Sequence, residues 1–129
     1  MTEGANHELD LLLTAHAGRP GALLPLLHDI QHAFGCIADD IVPRIAAALN
    51  LSRAEVHGVI TFYPDYRRVP VGAHVVKLCR AEACQARGGA AVERAAVRRF
   101  GVEMGATRAD RHVTLEPVYC LGMCAIGPS

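Results

Sequence analysis

The sequence predicts a mixed α/β protein in two parts, a helical bundle over residues 1–69 and a strand-containing domain over residues 70–129. The first observation is that apolar residues in the N-terminal half recur at spacings of three and four, as on one face of a helix. The second is that two short β-branched runs leading to cysteines follow residue 70. Between the halves, Pro70 and Gly72 interrupt the segment "RRVPVGAH", which places the boundary near residue 70.

Three segments of the N-terminal half carry helix signals. One apolar face in "GALLPLLHDIQHAFG" is formed by Leu23, Leu27, Ile30 and Phe34. Gly35 is expected to end that helix, because glycine adopts the left-handed conformation of a C-terminal cap. We expect Asp39 or Asp40 to cap a second helix through "IVPRIAAALN". Ser52 and Glu55 have the spacing of a capping box that opens a third helix.

The C-terminal half alternates strand, helix and strand. "HVVKLC" and "HVTLEPV" are short β-branched runs and are predicted as strands. In the second, Val113 and Leu115 alternate with Thr114 and Glu116. The intervening "GGAAVERAAVRRFG" has helical periodicity and is expected to end at Gly101. This order of elements predicts an α/β arrangement.

Composition excludes several classes of protein. The formal net charge is zero, which argues against nucleic acid as a partner. The N-terminus has no basic region followed by an apolar run, so no signal peptide is predicted. Its most apolar stretch is broken by Gly18, Arg19, Pro20 and Pro25, which excludes membrane insertion there. We therefore expect a cytoplasmic protein, in which cysteines serve metal binding or catalysis more often than disulfides.

Four of the five cysteines form two spaced pairs, each after a predicted strand. Cys79 and Cys84 form C-x4-C, and Cys120 and Cys124 form C-x3-C. If the strands are neighbours that end at the same sheet edge, the four thiols converge. Thiolates select zinc, copper(I) or iron–sulfur clusters, and the wide spacings favour a [2Fe–2S] cluster over a compact zinc tetrahedron. Zinc and unliganded cysteines remain alternatives, since cysteine is also a common buried apolar residue.

These motifs carry a resemblance to a known family. "QHAFGCI" and "GVITFYPDY", followed by "CRAEAC" and "VYCLGMC", resemble the thioredoxin-like [2Fe–2S] ferredoxin subunits of NADH-linked oxidoreductases. The likeness runs from about Leu24 to Pro128. That family includes the 24-kDa-type subunit of respiratory complex I, the gamma subunits of NAD-dependent formate dehydrogenases and the corresponding subunits of NAD-reducing hydrogenases. The short N-terminus and "CLGMCAIGPS" look most like a formate dehydrogenase gamma subunit.

The resemblance implies a thioredoxin-like domain, a cofactor, a ligand set and partners. The implied ligands of one [2Fe–2S] cluster are Cys79, Cys84, Cys120 and Cys124. An electron-transfer role follows, with FMN and NAD on a neighbouring subunit and a molybdenum cofactor or further iron–sulfur clusters on a larger one. The helices of residues 1–69 would serve as the docking domain, and no complete active site is expected in this chain.

One departure from the family concerns the chain end. Relatives continue past the last cysteine with a further strand pair and a helix, whereas this sequence stops at Ser129. A thioredoxin-like sheet without those strands would have uncovered edges. We therefore expect the C-terminal part of the domain to be truncated, the alternative being that a partner covers the gap.

Other residues have plainer interpretations. Cys36 is expected to be a small core residue, and His28 and His32 are expected to face solvent or a partner. A zinc-stabilised interaction module is the alternative from another class of protein. A thiol–disulfide oxidoreductase is disfavoured because the C-x-x-C motif is missing.

Overall fold

The computed structural model describes residues 2–129, and the chain divides into two compact units. The first unit ends at Pro70 and is called the helical unit below. The second, Val71–Ser129, is called the strand unit. Among the described helices, none combines the length and the apolar character that crossing a membrane requires.

Over its described residues, the helical unit contains four α-helices and one short 3₁₀ turn. They are α1 (Glu3–His16), α2 (Leu23–Phe34), the turn Asp39–Ile41, α3 (Val42–Leu49) and α4 (Arg53–Phe62). The predicted end of α2 is confirmed, because Gly35 follows it with a φ of 75°. The capping box is also confirmed: the Glu55 N–H donates to Ser52 Oγ at 3.2 Å, and the Ser52 N–H donates to Glu55 Oε2 at 2.8 Å.

The predicted cap of α3 is wrong. Ile41 precedes the helix, and no side chain caps its first turn. The backbone tightens into the 3₁₀ turn before α3 starts, and the Asp39 carboxylate instead accepts a hydrogen bond from Arg68 Nε at 2.8 Å. A guanidinium that binds both carboxylate oxygens is a stronger partner than a single backbone N–H. That ion pair lowers the pKa of Asp39, with the hydrogen bond from Arg68 as its main cause.

The core of the helical unit lies where its helices meet. Its buried apolar residues are Leu9, Leu13, Leu26, Leu27, Ile30, Ile37, Ile41, Val42, Ile45, Ala46, Val56 and Ile60. Cys36 is 8% exposed, which confirms its expected burial. His28 and His32 are exposed, as expected for residues outside the core.

The strand unit contains two parallel strands and two helices. They are β1 (His74–Cys79), α5 (Glu82–Ala86), α6 (Gly89–Phe100) and β2 (Val113–Val118). Both predicted strands and the predicted helix α6, which ends at Gly101, are confirmed. The strands pair in register from His74 with Val113 to Cys79 with Val118. Since they run parallel, their carboxyl ends lie at the same edge.

Two details of the strand unit differ from the sequence pattern. Helix α5 was not predicted, because five residues are too few for an apolar period. Thr114 is only 3% exposed, although the alternation placed it opposite the apolar residues. Its hydroxyl accepts a hydrogen bond from the Gly72 N–H and lies 2.8 Å from Thr107 Oγ1. These partners satisfy a polar group that would be costly to bury alone.

Candidate metal centre

The first pair of thiols is buried. Cys79 is the last residue of β1 and is 4% exposed, and Cys84 in α5 is 2% exposed. Gly127 lies against this pair: a Cβ placed there would be 3.2 Å from Cys84 Sγ. The segment around Gly127 is tied down by two hydrogen bonds, from Arg87 Nε to the Gly127 carbonyl (2.8 Å) and from the Cys79 N–H to the Ser129 carbonyl (2.7 Å).

The second pair is exposed on the loop after β2. The sulfurs of Cys120 and Cys124 are 3.5 Å apart. The Gly122 N–H donates to Cys120 Sγ at 3.3 Å. Cys120 has a φ of 92°, a region that L-residues adopt at a cost of roughly 1–3 kcal/mol. Such a conformation persists only where the surroundings enforce it, and this one directs the Cys120 N–H at Cys79 Sγ (3.3 Å).

Backbone N–H groups converge on Cys79 Sγ. Donors come from Ala81 at 3.4 Å and from Cys120. The pKa of the Cys79 thiol is therefore lowered, chiefly by the Ala81 N–H and further by Cys84 and by the N–H groups of Cys120 and Leu121. A thiolate is the form that binds metal, so these donors favour the form of Cys79 that a metal would require.

The second pair is electrostatically linked to the first. The pKa of Cys124 is raised, first by its hydrogen bond with Cys120, then by the charge of Cys120, and also by the charge of Cys84. Neighbouring thiolates repel one another, and a bound cation would relieve that repulsion. The strand ends thus bring together the four cysteines singled out in the sequence.

The thiols lie as pairs and not as a single cage. Within residues 2–129, no group of three or more His, Cys, Asp and Glu side chains is arranged to hold one metal ion. A [2Fe–2S] cluster takes four thiolates, two on each iron. The donor set, its pairing and the N–H groups aimed at sulfur fit that cluster.

Large exposed apolar side chains flank the exposed pair along the chain. In the order of the chain, they are Tyr119, Leu121, Met123 and Ile126. Sequence reasoning missed them, although the alternation of large apolar residues with cysteine and glycine in "YCLGMCAI" was a signal for them. Several large exposed apolar side chains in one short loop are typical of a surface to which another molecule binds.

Fold and site together define a thiolate-bearing α/β domain, preceded in the chain by a helical unit. Thiol pairs at the edge of a small parallel sheet are typical of proteins that carry a sulfur-ligated metal group. Residues 9–129 match the model of the thioredoxin-like [2Fe–2S] ferredoxin family, and the chain belongs to that family. The fold and the [2Fe–2S] cofactor expected from the resemblance are confirmed at this level.

Three curated relatives share one name. The chain is 34% identical over 108 residues to the E-type subunit of NADH-quinone oxidoreductase from Pseudomonas aeruginosa, and the match covers 84% of this chain and 65% of the relative. The corresponding protein of Escherichia coli K12 is 33% identical with the same coverage. That of Buchnera aphidicola is 28% identical over 84% of this chain and 63% of the relative. The chain thus spans less than two thirds of these relatives.

Proposed function

We propose that this chain is an electron-transfer subunit of an NADH-linked oxidoreductase complex and carries one [2Fe–2S] cluster. The proposed ligands are Cys79, Cys84, Cys120 and Cys124. The observation that carries the proposal is the meeting of two thiol pairs after neighbouring parallel strands. The names of the curated relatives support an NADH-linked complex, and we place that complex in the cytoplasm.

The cluster, when bound, supplies one-electron transfer, which suits a flavin that must pass on the two electrons of a hydride separately. The chain's own residues hold and shield it. Cys79 and Cys84 are buried, while Cys120 and Cys124 face solvent within the apolar loop. Electrons would therefore pass on the Cys120 side. FMN and NAD belong to a partner subunit in this proposal, so the reaction of the assembly takes place outside this chain.

Within this class, we propose one particular complex. "CLGMCAIGPS" favours the gamma subunit of an NAD-dependent formate dehydrogenase, whose large subunit holds molybdenum and iron–sulfur clusters. The alternative is a complex I type or NAD-reducing hydrogenase subunit, and the names of the relatives favour the complex I type. Purification of the native complex by a tag on this chain separates these possibilities. Formate-dependent NAD reduction supports the first, and NADH-dependent quinone reduction or hydrogen-dependent NAD reduction contradicts it.

We propose further that the helical unit is the docking domain for the flavin-bearing subunit. An apolar groove of about 540 Å³ lies on this unit, between the start of α2 and the end of α4. Leu23, Leu51 and Val59 line it, together with the more exposed Phe62 and Tyr63. Phe62 is 77% exposed, which is unusual for so large an apolar ring and supports a bound partner.

Replacement of Phe62 by glutamate tests the docking proposal in the full chain. We expect Phe62→Glu to lose at least tenfold in recovery of the flavin-bearing subunit, with the cluster spectrum unchanged. Leu11→Glu is the matched control, since Leu11 on α1 is also exposed, at 58%, but is not among the residues that line the groove. Equal recovery with both variants would contradict docking through this groove.

Metal analysis tests the cluster itself. We expect two irons and two sulfides per chain, visible charge-transfer absorption, and an electron paramagnetic resonance signal after one-electron reduction. A colourless protein with one zinc per chain would establish the zinc-stabilised module instead.

A further inference from the structure

Arg80 connects the segments that carry the two thiol pairs. It follows Cys79 directly, and its backbone N–H donates to the Val118 carbonyl at 2.7 Å. Its side chain lines one surface pocket together with Tyr119, the residue before Cys120, and the pKa of Arg80 is raised mainly by Glu93 and in part by the nearby Tyr119 hydroxyl. Through its backbone and its side chain, Arg80 thus lies next to both residues that precede Cys120.

The guanidinium is held in place by a carboxylate on α6. Arg80 Nε donates to Glu93 Oε2 at 2.8 Å, and Arg80 Nη2 donates to Glu93 Oε1 at 2.7 Å. The Arg80 and Glu93 side chains are 35% and 25% exposed, so water screens this pair only in part. A two-pronged bond of this kind fixes orientation as well as distance. The Arg80 charge next to the site is therefore both positioned and neutralised.

We propose that Arg80 is a positioning residue that, together with Glu93, sets the reduction potential of the cluster. The inference rests on the proposed function, because it requires the cluster to be bound at the four thiols. Hydrogen bonding and charge around the ligands are the main means by which a protein tunes such a potential. Here Glu93 cancels the field of Arg80, and the Arg80 side chain, held by Glu93, packs beside Tyr119 at the start of the loop that contains Cys120.

Because Glu93 cancels the charge of Arg80, removal of either charge should shift the reduction potential in a definite direction. Reduction adds an electron to the cluster, so a nearby uncompensated cation raises the potential and a nearby uncompensated anion lowers it. Glu93→Gln leaves the Arg80 cation alone and should raise the potential. Arg80→Gln leaves the Glu93 anion alone and should lower it. The double variant removes both charges and should return close to the wild-type value.

The experiment is a redox titration of the full-length protein, followed by electron paramagnetic resonance. Arg98→Gln is the control, because it removes the same charge from an exposed position in the last turn of α6. We expect the reduction potential to rise in Glu93→Gln and to fall in Arg80→Gln, each change being larger than that of the control. Arg80→Lys keeps the positive charge but loses the two-pronged bond to Glu93. Its reduction potential should lie closer to that of the wild type than the potential of Arg80→Gln does.

Shifts in the same direction, or shifts no larger than that of Arg98→Gln, would overturn the role of Arg80. If Arg80→Gln retains no iron, hydrogen exchange at residues 118–122 of the metal-free chain decides the question. Exchange faster than in metal-free Arg98→Gln supports positioning, and unchanged exchange overturns it. Iron and sulfide in the wild type are measured first: their absence refutes the proposed function, whereas failed shifts in a loaded protein refute this inference alone.

Discussion

The two units differ most in how much apolar side chain they bury. In the described part of the chain, the core of the helical unit holds twelve buried apolar residues and that of the strand unit holds three, Val102, Val113 and Leu115. Helix α6 contributes only partly buried residues to the smaller core. Small domains with so little core need a metal or a disulfide for stability. Apolar burial therefore stabilises the helical unit more than the strand unit, and we expect the strand unit to depend more on a bound cluster.

The largest expected effect comes from replacing one of the four proposed ligands. Serine at Cys79, Cys84, Cys120 or Cys124 offers a harder oxygen with a much higher pKa, which weakens the bond to iron. Because binding of the cluster is also folding free energy, each variant should lose or greatly shift the cluster and loosen the strand unit. Iron per chain and hydrogen exchange resolved by unit measure both effects.

Cys36→Ser is the matched control for the ligand variants. It buries a hydroxyl in the helical unit and should cost about 1–3 kcal/mol if the hydroxyl finds no partner. Iron content and the visible spectrum should stay intact. A Cys36→Ser protein without cluster, or a Cys120→Ser protein with a normal one, would overturn the ligand assignment.

The next effect concerns the core of the helical unit. Leu27 is fully buried there, so Leu27→Ala should cost about 2–5 kcal/mol in the free energy of unfolding of that unit. Iron per chain should remain at the wild-type level. Leu11→Ala, at an exposed position of α1, should change stability by less than about 0.5 kcal/mol. Chemical denaturation followed by circular dichroism measures these values, and loss of iron in Leu27→Ala would contradict the independence of the two units.

A smaller effect is expected at Gly127. A Cβ there would lie 3.2 Å from Cys84 Sγ, so Gly127→Ala must displace the sulfur or the segment by a few tenths of an ångström. Such overpacking costs about 1–3 kcal/mol. We expect faster loss of iron to a chelator, with the helical unit unaffected. Gly58→Ala on α4 is the control, because nothing lies within 4 Å of the position that its added methyl group would take, and it should leave the rate of iron loss unchanged.

The smallest effect is electrostatic and depends on pH. Hydrogen bonds lower the pKa of Asp110 to about 2; the largest contribution comes from Arg108 and the next from the His112 N–H. A carboxylate with a depressed folded-state pKa stabilises the fold above its ordinary value of 3.8, and that contribution disappears as the pH falls toward 2. Asp110→Asn should therefore be less stable than the wild type at pH 5 and equal to it near pH 2. Denaturant midpoints of the metal-free chain at both pH values measure this, and a difference that persists at pH 2 would contradict it.

Local signals predicted most of the regular structure. The apolar period and Gly35 defined α2, and the β-branched runs defined both strands. Parallel pairing of those strands then accounts for the meeting of the cysteines. Contacts between distant residues were beyond such reasoning. For example, Asp39 binds Arg68, which lies 29 residues further along the chain, and does not cap a helix.

The surroundings of the thiols were equally hidden from a single sequence. The bond between Arg80 and Glu93 joins the residue after a strand to a helix, and neither the C-x4-C spacing nor the helical period pairs these two residues. The contact of Gly127 with Cys84 depends on how the chain returns to the sheet, which no local pattern shows. The spacing of the four cysteines was enough to propose them as ligands, whereas the residues packed around them follow from tertiary contacts alone.

The positive φ of Cys120 places ligand binding in competition with the stability of the metal-free chain. On backbone grounds glycine is the residue best suited to that conformation, since it lacks the Cβ that makes the conformation costly. A drift to glycine would therefore relieve the metal-free fold while removing an iron ligand. If Cys120 is a ligand, as proposed, the backbone strain at this position lowers the stability of the metal-free chain and is offset only when the cluster binds.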